Sequence, residues 1–89
     1  VKEMVNLLVE HRWKDKNKDE AFKVVGSIIE MQKNSKMPEG FKLLSVQVVG
    51  SENMAICNYE APSKEALESL VKKVNPPTKY QVFEAQKIF

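Results

Sequence analysis

Two β-patterned runs at the centre of the chain, joined by a hairpin-length connection, constrain its fold more than any other feature. The runs are Phe41-Lys42-Leu43-Leu44-Ser45-Val46-Gln47-Val48-Val49 and Asn53-Met54-Ala55-Ile56-Cys57-Asn58-Tyr59-Glu60, with Gly50-Ser51-Glu52 between them. Strand-length runs with apolar and polar positions interleaved, separated by a short glycine-containing turn, pair as an antiparallel hairpin. One β-like and one helix-like run precede this hairpin, and one helix-like and one β-like run follow it. The order of elements is therefore β-α-β-β-α-β.

The flanking segments give each element a face. A first strand near 3–12 puts Val5, Leu7 and Val9 on one side and Met4, Asn6, Leu8 and Glu10 on the other. A helix near 18–33 carries Ala21, Phe22, Val25, Ile28, Ile29 and Gln32 as its inward stripe. Asn17 is its expected N-cap, with Glu20 three residues on as in a capping box. Gly26 offers a close approach of helix to sheet. Pro38 and Gly40 mark the turn that follows. The second strand, near 41–49, has an apolar row of Leu44, Val46 and Val48 and a mixed row of Leu43, Ser45 and Gln47. The third, near 53–61, directs Ala55, Cys57 and Tyr59 to the helices and Met54, Ile56, Asn58 and Glu60 away from them. Ser63 is the expected N-cap of a second helix near 63–74, where Leu67, Leu70, Val71 and Val74 recur at helical spacing. Asn75-Pro76-Pro77 stops it. The last strand, near 79–88, has two amphipathic rows, so its own pattern leaves its facing open.

At 89 residues the chain is a single domain spanning 1–89. Two right-handed β-α-β halves predict a four-stranded antiparallel sheet in the order 4-1-3-2 with both helices on one face. This is the α+β ferredoxin-like plait. Its other face would expose a row such as Met4, Leu8, Leu43, Met54 and Ile56. Covering that row with a second copy predicts a homodimer or an assembly of dimers.

Composition narrows the partners. The net charge is only +2, and Arg12 is the single arginine among 14 basic residues spread between acids. That distribution argues against nucleic acid as a partner. No apolar run approaches the roughly 20 residues needed to cross a bilayer, so no membrane partner is expected. The opening Val1-Lys2-Glu3-Met4 has no secretory pattern, which makes the cytoplasm the expected location. Cys57 is the only cysteine and lies inside a strand, where a buried, unreactive thiol is expected.

Four stretches carry a family resemblance: Asn6-Leu7-Leu8-Val9-Glu10-His11-Arg12-Trp13, Met37-Pro38-Glu39-Gly40-Phe41-Lys42-Leu43-Leu44, Met54-Ala55-Ile56-Cys57-Asn58-Tyr59-Glu60-Ala61 and Ser63-Lys64-Glu65-Ala66-Leu67. Together the pattern resembles the dimeric α/β-barrel superfamily, and within it a small family known only as a domain of unknown function. The resemblance implies two ferredoxin-like subunits packed sheet to sheet. Members often carry tryptophan or histidine on the second strand and tryptophan in the second helix. Here those stretches read Ser45-Val46-Gln47-Val48 and Leu67-Glu68-Ser69-Leu70.

No catalytic motif or metal-ligand spacing stands out. The three glycines are scattered, so no phosphate-binding loop is present. A lone histidine cannot build a zinc site, and His11 is expected to pack as an ordinary strand-end residue; axial haem ligation is an implication of the wider superfamily only. The candidate ligand-binding residues are Asn6, Glu10, His11, Trp13, Gln47, Asn58 and Tyr59. Asn6 and Glu10 flank Leu8 on one face, where Gln47 and Asn58 could join them, and a central Glu10 needs a partner such as Arg12 or a neighbouring lysine. Trp13 and Tyr59 could stack a flat ligand such as a quinone. The expected function is a small dimeric module, with no resident cofactor, that binds a small molecule between paired sheets. The alternative is a cofactor-less monooxygenase or isomerase.

Overall fold

The computed structural model describes residues 4–76, 78–86 and 88. The central hairpin pairs as its pattern dictates: β2 (Lys42–Val49) and β3 (Met54–Ala61) are antiparallel and joined by a 3-10 turn over Gly50–Glu52. Asn53 closes the turn at φ 50°, a left-handed conformation that asparagine tolerates better than most residues. β1 (Val5–Arg12) pairs with the far edge of β3, and β4 (Lys79–Glu84) pairs with β1. The sheet order is β2-β3-β1-β4, all antiparallel. With α1 (Lys18–Lys33) and α2 (Lys64–Val74) this is the ferredoxin-like plait. No helix among the described residues is long and apolar enough to cross a membrane.

Both helices lie on one sheet face, because one core collects side chains from both. Leu7, Val9, Cys57, Tyr59 and Ala61 rise from the sheet to meet Leu67 and Val71 of α2, with Ile28 and Ile29 of α1 packed against them. A second cluster, Trp13, Ala21 and Ala55, sits towards the start of α1. The predicted facings of β1 and β3 hold. Residues 6–11 of β1 alternate between half-buried and buried, and β3 alternates without a break. α2 begins where predicted: the Ser63 hydroxyl accepts the Ala66 amide at 3.0 Å, satisfying one of the unpaired donors of the first turn.

Several expectations are corrected. In β2, Leu43 stands opposite Tyr59 but Ser45 opposite Asn58, so Leu44 occupies a β-bulge. One extra residue reverses the parity of everything before it. Leu43 is consequently buried in the helix-side core and Leu44 is 44% exposed, the reverse of the sequence expectation. Gln32, the last residue of the α1 stripe, secures the entry to the bulge by accepting the Leu43 amide on Oε1 at 2.8 Å. Asn17 does not cap α1 with its side chain. It lies instead at the end of a 3-10 turn, Asp15–Asn17, with φ −105° and ψ 6°, outside the extended geometry that a capping side chain requires. Phe22 is not fully inward. It is 38% exposed and meets Trp13 edge-on at 5.8 Å between ring centroids. Gly26 permits no close approach, since a Cβ there would meet nothing within 4 Å. Gly40 is the glycine that the backbone requires. It sits at φ +90° in a turn closed by the Phe41 amide on the Pro38 carbonyl, and a Cβ would lie 3.1 Å from Pro62.

β4 ends at Glu84, not near 88. One further bond, from the Ala85 amide to the Asn6 carbonyl at 2.9 Å, continues its pairing; Lys87 of the predicted strand lies outside the described residues. Pairing with β1 decides its facing. Val82 is opposite Val9 and Tyr80 opposite His11, towards the helices, so Phe83 opposite Leu8 and Gln81 opposite Glu10 take the other face.

Candidate functional site

The open face of the sheet is built from registered rows. One row crosses from the Leu44 bulge and Ser45 through Asn58 and Leu8 to Phe83. The next crosses Gln47, Ile56, Glu10 and Gln81. Asn6, Leu8 and Asn58 share a shallow depression of about 460 Å³ with Leu44, Ala85 and Gln86. Its polar lining comes from the side-chain amides of Asn6, Asn58 and Gln86, each able to donate and accept. It can therefore hold a small polar molecule against an apolar floor.

Glu10 does not reach that depression. Its Oε1 accepts from Arg12 Nε at 2.7 Å, two positions along the same strand and on the same face. The expected partner is thus present, and the pair is partly solvated. Glu10 and Arg12 border a separate open cleft with Thr78, Lys79, Tyr80 and Gln81. Gln47 lies on the same sheet face in the row of Glu10, towards the β2 edge.

The other three candidates lie on the opposite side of the sheet. Tyr59 is 4% exposed within the helix-side core, where burial raises its phenol, with a smaller contribution from Cys57. His11 is opposite Ala55 and faces the helices. Burial lowers its pKa, and its Nδ1 lies 2.9 Å from the Thr78 hydroxyl. His11, Cys57 and Tyr59 line a largely apolar cavity of about 20 Å³ between the helices, space for about one water. Burial pushes the Cys57 thiol up to about 11, so it is protonated and inert at neutral pH. Among the described residues no three His, Cys, Asp or Glu side chains come together as a metal site would need. Trp13 is buried at the end of the sheet, and its Nε1 has no hydrogen-bond partner among the described residues.

The structure therefore divides the sequence candidates. Asn6 and Asn58 come together; Glu10 and Gln47 flank them on the same face; His11, Trp13 and Tyr59 belong to the helix side. Sequence reasoning missed Leu44, Phe83, Ala85 and Gln86. The only local signal for Phe83 and Ala85 was an alternation that fitted either facing. Nothing local signalled the bulge that turns Leu44 outward.

Compared with known proteins, the chain matches no family model, no curated protein and no solved structure.

Proposed function

We propose that this chain is a small self-associating module that holds a small molecule between two sheets. The open face packs on the same face of a second copy, as the resemblance to the dimeric α/β-barrel superfamily implies. The ligand lies in the depression bordered by Asn6, Leu8 and Asn58. The observation that carries the reading is the set of apolar side chains left uncovered on that face. Leu44 and Phe83 are each 44% exposed at its two ends, with Leu8 between them. Such a set repays burial at roughly 25 cal/mol per Å² of apolar surface. A second copy suits the area. A standard interface takes about 800 Å² from each partner, about one-eighth of the 6410 Å² surface and within reach of one face of a four-stranded sheet. Cys57, a single buried thiol, suits a reducing compartment such as the cytoplasm. Glu10, the carboxylate nearest the middle of this face, is already paired with Arg12, so binding is preferred to catalysis.

Sedimentation velocity tests the reading. The unaltered chain is expected to be dimeric at tens of micromolar, roughly the range of a modest interface. Leu8→Glu and Phe83→Glu are expected to yield folded monomers. A chain that remains monomeric throughout that range overturns the proposal. For the ligand, a thermal-shift screen of small metabolites should find a stabilising compound whose effect is lost in Asn58→Ala. A hit that binds both proteins equally would place the site elsewhere.

A further inference from the structure

A different set of residues, at the end of the sheet where β1 runs into α1, forms a second cleft. It has a volume of about 500 Å³, and its walls include Lys14, Lys16, Asn17, Thr78, Lys79 and Trp13. Arg12 borders it as well, already engaged by Glu10 at 2.7 Å. Among the described residues no carboxylate lines it.

This separation of charge follows from local structure. The sequence Lys14-Asp15-Lys16-Asn17-Lys18 sets one acid among three lysines and, read linearly, neutralises itself in part. The fold undoes that. The 3-10 turn over Asp15–Asn17, closed by the Asn17 amide on the Lys14 carbonyl at 2.8 Å, accompanies a tie between Asp15 and the hairpin: Asp15 Oδ1 accepts Asn53 Nδ2 at 2.6 Å. The Trp13 amide anchors the same junction by donating to the Asn53 carbonyl at 3.0 Å. Lys14 and Lys16 are left on the cleft, across from Lys79 at the start of β4. None of the three has a carboxylate within ion-pair distance among the described residues. Asn17, relieved of side-chain capping, lines the same cleft.

Three ammonium groups around one concave site repel one another, and a small multivalent anion relieves that repulsion. The site also lies beside the start of the 16-residue α1, whose dipole adds positive potential, although Asp19 and Glu20 in its first turn offset part of it. The volume falls within the range of small-molecule sites. Trp13 supplies an apolar wall, and its buried Nε1 has no partner among the described residues.

We propose that the cleft between the Asp15–Asn17 turn and the start of β4 binds a compact multivalent anion, such as the phosphate groups of an organic phosphate or a polycarboxylate, through Lys14, Lys16 and Lys79. This site does not rest on the self-association proposed above.

Trp13 is the only tryptophan, so its fluorescence reports directly on the wall of the cleft. The probes are sodium pyrophosphate and sodium citrate, titrated at constant ionic strength, with isothermal titration calorimetry on the same samples as a second readout. Saturable binding is expected. Each of Lys14→Ala, Lys16→Ala and Lys79→Ala should weaken it by about fivefold, the upper end for one exposed ion pair, and the triple variant should abolish it. Lys36→Ala and Lys64→Ala, remote from the cleft, should leave it unchanged. Tighter binding of pyrophosphate assigns the site to phosphates, and tighter binding of citrate to carboxylates. Absence of saturable heat and fluorescence change with both probes overturns the proposal. So does unchanged affinity in a triple variant whose thermal midpoint shows it to be folded, or an equal response to chloride at matched ionic strength.

Discussion

The two faces of this sheet are made by the same strands with the same alternation, yet they are physically unlike. On the helix side Leu7, Val9, Ala55 and Ala61 are fully buried and Cys57 and Tyr59 nearly so. On the open side no residue of β1 or β3 is buried, and Leu44 and Phe83 remain exposed at the outer strands. The difference lies in the cover, since two amphipathic helices can blanket only one face of a four-stranded sheet. A face left uncovered by helices must be polar, paired or functional, and this one mixes amides, an ion pair and apolar side chains. The helix side supplies stability, while the open side leaves Leu44 and Phe83 to solvent.

Neighbouring residues on β1 give the sharpest way to break that contrast. Leu7→Ala should cost about 3 kcal/mol, in the range for fully buried leucines. Leu8→Ala, one residue on and facing the other way, should cost under about 1 kcal/mol in the monomer. Urea unfolding measures both. At higher protein concentration the Leu8→Ala deficit should grow if the open face is an interface, because the unaltered chain alone then gains from association.

A second contrast is electrostatic, between His11 inside and Glu10 outside. Burial holds the folded His11 pKa below its ordinary 6.5, so the unfolded chain binds that proton more tightly. The contribution of His11 to stability is therefore complete above about pH 6.5. It is lost as pH falls from there to the lowered folded value, at no more than about 1.4 kcal/mol per pH unit for one proton. Urea midpoints across that window should show the loss, and His11→Gln should remove it. Glu10→Gln, breaking a solvated pair, should change stability by less than about 1 kcal/mol.

The two helix starts sharpen the comparison on a smaller scale. Ser63→Ala should cost about 1 kcal/mol, because the hydroxyl holds the Ala66 amide. Asn17→Ala should cost no more than a few tenths of a kcal/mol, a typical surface effect, because no capping bond is lost. The smallest disturbance concerns Cys57. With its thiol pushed up to about 11, alkylation at pH 7.5 should be slow in the native protein and fast in urea, with stability unchanged under either mock treatment.

What the sequence by itself determined are the features written at short range. The element order, the facing of Val5-Leu7-Val9 and Ala55-Cys57-Tyr59, the Leu67-Leu70-Val71-Val74 stripe and the Ser63 cap each depend on neighbours within about one or two helical turns, or on strict alternation. Tertiary structure decided the rest. The bulge at Leu44 depends on the register with β3, and a single extra residue there exchanged the places of Leu43 and Leu44. The facing of β4 came from its pairing with β1, since both of its rows were amphipathic. His11 met Thr78 across 67 positions, and Asp15 met Asn53 across 38. The interleaved Asp15 of Lys14–Lys18 gave no sign that it would be drawn away and the lysines left facing a cleft. Periodicity records which side of its own element a residue occupies. Which elements then stand on that side, and with which partners, is settled only when distant segments pair and pack.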